Sequence, residues 1–226
     1  MNLKNASILV IIGIIYTIVL KISQYLFPDI FSYVFIINIT HILSILASLF
    51  AILFGLYFIK EVIGKNKMHF KLTVLASLLR PVYFILIHPR ELIRLSSKLS
   101  LGLYDFSPNV YNLIVTGTLK PISQIIVWLS SILICYFFFV LNKNLSMQYE
   151  DLKKAVFLVL MGTAITVVFR TFGFITYLFY PDYIFKGSPP PIILLLSILI
   201  FLFLSVVSLM FFWKLYKIEK YTDLII

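Results

Sequence analysis

Six long apolar runs divide the chain, and short polar segments separate them. The runs cover residues 6–27, 31–59, 72–88, 121–141, 155–180 and 189–213. A helix needs about 20 mostly apolar residues to cross the hydrocarbon core of a bilayer, and only the third run is shorter than that. The runs lack the alternation of a transmembrane β-barrel, and isolated strands cannot span lipid. The pattern therefore predicts an all-α integral membrane protein with a six-helix transmembrane bundle, which forms a single domain over residues 1–226.

The composition excludes a soluble globular protein. Hydrophobic residues make up 62% of the chain and charged residues 12%, whereas soluble domains have about 45–50% apolar and about 25% charged residues. The single cysteine, Cys135, lies in an apolar run, so an intramolecular disulfide is excluded. The first run has no small-residue cleavage site after it, and we interpret it as a retained membrane helix rather than a signal peptide.

The positive charge indicates topology rather than nucleic-acid binding. The formal net charge is +10, and the cations form short clusters between the apolar runs, which favours contacts with anionic membrane lipids over nucleic acid. With an inside N-terminus, the inside segments hold eleven cations and the outside segments five. The positive-inside rule then places both termini in the cytoplasm, and we expect a plasma-membrane location.

The ends of the runs alternate in residue type. Prolines end the odd runs and lysines end the even runs, at Pro28, Pro89, Pro181, Lys60, Lys143 and Lys214. Three tandem helical hairpins would give this pattern, although prolines and lysines commonly end membrane helices without any repeat.

The polar segment after the third run has amphipathic spacing. Arg90, Arg94 and Lys98 share one helical face, and leucines share another. This spacing predicts an interfacial helix, which could cover the outer mouth of a cavity or lie passively at the membrane surface.

Three cations lie inside the predicted spans: Lys21, Arg80 and Arg170. A charge at the centre of a membrane helix costs at least about 2.5–3.5 kcal/mol on insertion scales, so it normally faces a partner or a wet cavity. No acidic residue lies inside the six runs to neutralise these cations. One interpretation is an electropositive cavity that is open to water or to an anionic ligand. The alternative is that Lys21 snorkels outward and the arginines bond backbone carbonyls, hydroxyls or tyrosines.

The predicted ligand-binding residues are these three cations and two tyrosines near them in sequence, Tyr83 and Tyr177. His41 and His88 lie at similar predicted depth and could ligate haem or a metal, but no acidic residue or repeated spacing accompanies them. We favour polar interfacial histidines and expect no cofactor. No catalytic constellation is present, so an enzyme is unsupported.

The sequence thus favours a small membrane protein that binds or translocates an anionic solute or lipid through an electropositive cavity. The alternatives are a non-catalytic subunit or sensory module of a membrane complex and, second, a haem-binding membrane cytochrome. Expected partners are membrane lipids, an anionic small molecule, and a membrane protein partner or a second copy of the chain.

Overall fold

The computed structural model describes residues 2–27, 34–63, 68–79, 81–83, 120–179, 191–219, 221 and 224–225. The helices are α1 (Leu3–Leu26), α2 (Val34–Phe58), α3 (Met68–Ser77), α4 (Lys120–Asn144), α5 (Glu150–Phe179) and α6 (Pro191–Tyr216). A π-helical segment (Ile59–Ile63) extends α2, and a 3-10 turn (Met147–Tyr149) precedes α5. Over these residues the only β-type pairing is an isolated bridge between Leu145 and Ile225. The predicted all-α fold is confirmed.

Five helical stretches are long and apolar enough to cross a membrane. They are Leu3–Leu26, Ile39–Ile63, Gln124–Asn144, Met147–Thr176 and Leu195–Tyr216. The chain is therefore an integral membrane protein by the length and composition of its helices. The third predicted run is described only through residue 83, and its helix α3 begins at Met68, four residues before that run. The predicted interfacial helix after Pro89 lies outside the described residues.

The helices form a ring in chain order. Helix α1 packs on α2, and α3, α4, α5 and α6 pack on one another in order; the ring closes where α6 packs on α1. The link between α2 and α3 runs through the π-helical segment. The pairs α1–α2, α3–α4 and α5–α6 are each in contact, as three tandem hairpins would require. The sequence repeat itself stays a prediction, because the prolines that suggested it lie outside the described residues.

Local interactions explain where two helices begin and end. The side chain of Asn2 caps α1 by accepting a hydrogen bond from the backbone N–H of Asn5. At the other end the N–H of Phe27 bonds the carbonyl of Ser23, and Pro28 follows in the sequence. Helix α5 carries Glu150 and Asp151 in its first turn, where negative charge is favourable for the helix dipole.

The acidic residues occupy more ordered positions than the sequence predicted. Glu61, Glu150 and Asp151 lie outside the six apolar runs, and their place in the sequence predicts loops; in the structure Glu61 lies in the π-helical segment and the other two lie in α5. Lys154 pairs with Glu150, and Lys214 of α6 pairs with Asp151. These polar helix ends continue the apolar spans, and a hydropathy pattern does not include them because it ends a span at the first charged residues.

The tightest packing lies at one end of the ring, which we call the base. Leu3, Phe58, Leu145, Leu215 and Leu224 are fully or almost fully buried there. Leu224 belongs to the C-terminal segment, and the carbonyl of Leu224 accepts a hydrogen bond from the N–H of Ser146. The chain therefore returns after α6 and packs across the base.

Aromatic rings fill the base. Phe58 meets Phe70 and Phe137 edge to face, with ring centroids 6.2 and 5.8 Å apart, and Phe138 meets Phe211 in the same way at 5.4 Å. Such pairs contribute about 0.5–1.5 kcal/mol each beyond the area they bury. The rings join α2, α3, α4 and α6 at one level.

Small residues let neighbouring helices approach closely. A Cβ atom at Gly162 of α5 would lie 3.1 Å from Cδ1 of Leu204 of α6, and one at Gly13 of α1 would lie 3.4 Å from Cβ of Ala47 of α2. Close backbone approach at small residues is the usual means of helix association in lipid, where burying apolar surface provides no driving force.

Candidate functional site

Arg170 lies on α5 and reaches toward α4. Its Nη1 donates a hydrogen bond to the carbonyl oxygen of Val127, 3.2 Å away. Within the described part of the chain this is the one hydrogen bond that the guanidinium makes, and no acidic side chain pairs with it. A guanidinium carries five N–H donors, so most of its donor capacity is available to other groups.

The Val127 carbonyl is an unusually crowded acceptor. Besides Arg170 it accepts the hydroxyl protons of Ser130 at 3.0 Å and Ser131 at 2.7 Å. The two serine bonds lie within α4, and the Arg170 bond is the one of the three that joins α4 to α5.

A second contact ties the same two helices beside the arginine. The indole Nε1 of Trp128 donates to Oγ1 of Thr171 at 3.0 Å, and its ring stacks on Phe174 with centroids 5.1 Å apart. Trp128 follows Val127 on α4 and contacts Thr171, which follows Arg170 on α5, so its indole lies next to the contact between Arg170 and Val127. Its fluorescence offers a native probe of this region.

A cavity of about 470 Å³ lies between α1, α2, α5 and α6, and Arg170 forms part of its wall. This volume falls within the range of small-molecule binding sites, about 300–1,000 Å³. Its polar lining residues are Thr17, Thr166, Arg170, Ser197, Ser205 and Ser208. Arg170 is the charged member of the lining among the described residues, so the cavity carries net positive charge.

The threonine hydroxyls in the lining already donate hydrogen bonds to carbonyls of their own helices. Thr17 donates to the carbonyl of Gly13 and Thr166 to the carbonyl of Gly162, both at 2.8 Å. These hydroxyls therefore present oxygen lone pairs rather than protons. Among the described lining residues, Arg170 is the one that carries a charged donor group.

The cavity carries its charge at one end, and its other end is mostly apolar but includes the hydroxyls of Ser205 and Ser208. Counting along the helices from the base at about 1.5 Å per residue, Arg170 and Ser197 lie roughly 30 Å from it, whereas Val10 and Ser208 lie roughly 11 Å from it. Ile14 and Leu204 line the wall between these levels. The charge thus sits at the end far from the base, above a largely apolar chamber.

The other predicted ligand-binding residues have different placements. Lys21 of α1 has an exposed side chain and is absent from the cavity lining. It follows Val10, Ile14 and Thr17 at helical spacing, so it lies on the same face of α1, one turn beyond the cavity. Tyr83 is described but does not line the cavity. Arg80, the side chain of Tyr177, and His88 lie outside the described residues.

The predicted pair of His41 and His88 cannot be tested as a haem or metal site, because His88 lies outside the described residues. His41 lies on α2 with a half-buried side chain, and His69 of α3 bonds the hydroxyl of Tyr136 through Nε2 at 3.1 Å. Over the described ranges, no group of three or more His, Cys, Asp or Glu side chains lies close enough to hold a metal ion.

Two features of the site escaped sequence reasoning. The Val127 carbonyl is a backbone acceptor and leaves no sequence signal. The α6 hydroxyls did leave one, since Ser197, Ser205 and Ser208 follow at spacings of eight and three, which places them on one helical face of an otherwise apolar run.

A comparison of the chain with protein-family models, curated proteins and solved structures finds no match.

Proposed function

We propose that the protein binds or translocates an anionic solute or lipid, with the ligand's negative charge held at Arg170. The single observation that carries this proposal is Arg170 in the lining of a cavity between the membrane helices, with one carbonyl partner for its guanidinium and no acidic partner among the described residues. An anion in the cavity would supply the missing counter-charge.

Electrostatics favours this assignment over a purely structural arginine. At about 4 Å, two opposite unit charges attract by about 4 kcal/mol at an effective dielectric constant of about 20, compared with about 1 kcal/mol in bulk water. A neutral carbonyl supplies only part of that stabilisation. The Val127 hydrogen bond fixes the guanidinium in place, and a ligand anion would neutralise it.

The distribution of lysines and arginines supports one orientation of the chain in the membrane. We propose that the base, with both chain termini, faces the cytoplasm of a plasma-membrane protein, because the even-numbered helices end there in lysine-rich segments. Arg170 would then lie in the outer half of the membrane, and a ligand would approach it from outside the cell.

Trp128 provides a direct binding test. In a Trp213→Phe background it is the remaining tryptophan, since the chain has two. The purified protein, reconstituted in zwitterionic lipid, is titrated with iodide, an anionic quencher, and with acrylamide, a neutral one. Because Arg170 concentrates anions beside Trp128, we expect iodide quenching to exceed acrylamide quenching and to fall when Arg170→Gln removes the charge.

Lys143→Gln is the matched control, because it removes an exposed cation near the base without touching the cavity. It should leave the iodide-to-acrylamide ratio unchanged. An equal ratio in wild type and Arg170→Gln would contradict the anion site and leave a non-catalytic subunit or sensor as the better interpretation.

A further inference from the structure

The cavity beside Arg170 also constrains the kind of anion that fits. We infer that its ligand is a single-chain amphiphile, with the anionic group at Arg170 and the aliphatic chain directed toward the base. This inference rests on the proposed anion site and adds the ligand's class and orientation.

The lining separates charge from apolar surface along the helix axis. Arg170 and Ser197 mark the far end. The described wall nearer the base is mostly apolar, with Val10, Ile14 and Leu204, and the hydroxyls of Ser205 and Ser208 are its polar groups. A single-chain amphiphile has the same arrangement, with a charged group at one end and an apolar chain behind it. Its head would meet the guanidinium and its chain would cover the apolar wall.

A small inorganic anion would fill the same space poorly. A volume of about 470 Å³ corresponds to roughly 15 water molecules at about 30 Å³ each. With an inorganic ion at Arg170, most of that space would hold water against apolar walls, where water finds few hydrogen-bond partners. An aliphatic chain displaces this water and makes dispersion contacts along the wall.

The length of the chamber fits one chain lying along the helices. On α6 the lining extends from Ser197 to Ser208, which is roughly 16 Å at about 1.5 Å per residue. The aromatic packing of Phe58, Phe137 and their neighbours fills the ring at the base. The chain would therefore end above the base rather than pass through it.

A chain-length series tests the inference with carboxylates of known solubility. Binding of butyrate, octanoate and the uncharged analogue octanol is followed by Trp128 fluorescence, in Trp213→Phe protein reconstituted in phosphatidylcholine nanodiscs. Each buried methylene should tighten binding about fourfold, so octanoate should bind on the order of 100-fold more tightly than butyrate. Octanol, which lacks the charge, should bind more weakly than octanoate.

Ala51→Leu separates burial in the cavity from partitioning into the lipid. Ala51 lines the chamber on α2, and a leucine there would occupy space that the chain needs. The octanoate advantage should shrink in Ala51→Leu while butyrate binding stays near wild type. Ala76→Leu, the same enlargement on α3 away from the cavity, should keep the full advantage.

The outcomes distinguish a failure of the amphiphile inference from a failure of the proposed anion site. Equal, Arg170-dependent binding of butyrate and octanoate would overturn the amphiphile and leave the anion site in place. An octanoate advantage that survives unchanged in Ala51→Leu would also overturn it, because the chain would then be bound elsewhere. Octanol binding as tightly as octanoate, or no response to any of the three, would overturn the anion site as well.

Discussion

The carboxylate of Glu61 accepts a hydrogen bond from the backbone N–H of Leu3, with 3.0 Å between Oε1 and N. Glu61 belongs to the π-helical segment that extends α2, and Leu3 is the first residue of α1. A carboxylate at a helix N-terminus satisfies an amide that has no partner within the helix and interacts favourably with the helix dipole. One side chain thereby joins the start of the chain to the end of its first hairpin.

Two substitutions of Glu61 should destabilise the base to different extents. Glu61→Gln keeps an acceptor but removes the charge, and Glu61→Ala removes both. By analogy with helix caps, we expect Glu61→Ala to lower the free energy of unfolding by about 1 kcal/mol and Glu61→Gln to lie between it and wild type. Thermal unfolding in detergent measures the order. Glu219→Ala, at an exposed position, is the control, and an effect of Glu219→Ala as large as that of Glu61→Ala would refute the assigned contact.

Tyr221 makes the stability of the base depend on alkaline pH. Its hydroxyl donates to the carbonyl of Leu215 at 3.2 Å; burial, with a smaller contribution from the negative charge of Glu61, raises the pKa of Tyr221 to about 12. The folded state keeps this proton to higher pH than the unfolded chain does. The stabilisation is therefore fully present below about pH 10, the usual tyrosine pKa, and is lost as the pH rises toward 12.

The measurement is an ultraviolet titration of tyrosinate in wild type and Tyr221→Phe. The difference between the two curves should report one tyrosine that ionises near pH 12, well above an ordinary tyrosine. A difference curve centred near pH 10 would contradict the burial of this hydroxyl.

Lys21 should act on the rate of binding more than on the affinity. It lies on the cavity face of α1 but beyond the lining, with an exposed side chain. Exposed charges steer anions at long range and are screened by salt, with a Debye length of about 8 Å at physiological ionic strength. We expect Lys21→Gln to slow the association of octanoate at low salt and to match wild type at high salt, in stopped-flow Trp128 fluorescence. A salt-independent loss of affinity would instead place Lys21 in direct contact with the ligand.

The orientation is open to labelling in intact cells. Met147→Cys adds a thiol at the base, where the methionine is 74% exposed, and Lys186→Cys adds one in the segment between α5 and α6. Both are made in a Cys135→Ala background, which removes the native thiol. A membrane-impermeant reagent should label position 186 and leave position 147 unlabelled. The reverse pattern would place the base outside the cell.

The sequence could predict the helices but not the contacts that assemble them. Five of the six apolar runs agree with the ends of α1, α2, α4, α5 and α6 to within five residues, because the length and polarity of a membrane helix are set by the bilayer. The contact between Glu61 and Leu3 joins residues 58 positions apart and has no periodic signal. The return of Leu224 to the base is invisible for the same reason.

The candidate site was predictable in part. An arginine inside an apolar run already indicated a partner or a cavity, since an isolated charge in lipid is unfavourable. The sequence could not separate Arg170, which lines the cavity, from Lys21, which lies beyond it, because both occur in apolar runs of similar length. Only the packing of α1 against α6 and α2 determines which cation lines the chamber.

The central claim is that the charge of Arg170 binds an anion and does more than tie α5 to α4. The most direct measurement is the melting temperature of wild type, Arg170→Gln and Arg170→Lys as octanoate is added. A ligand that binds only the folded state stabilises it by about 2.7 kcal/mol at 100 times its dissociation constant, which is several degrees for a protein of this size. We expect a rising melting temperature in wild type, a weaker rise in Arg170→Lys and none in Arg170→Gln. The same octanoate-dependent rise in wild type and Arg170→Gln, with only a constant offset between them, would show that Arg170 merely joins the helices and would contradict the account.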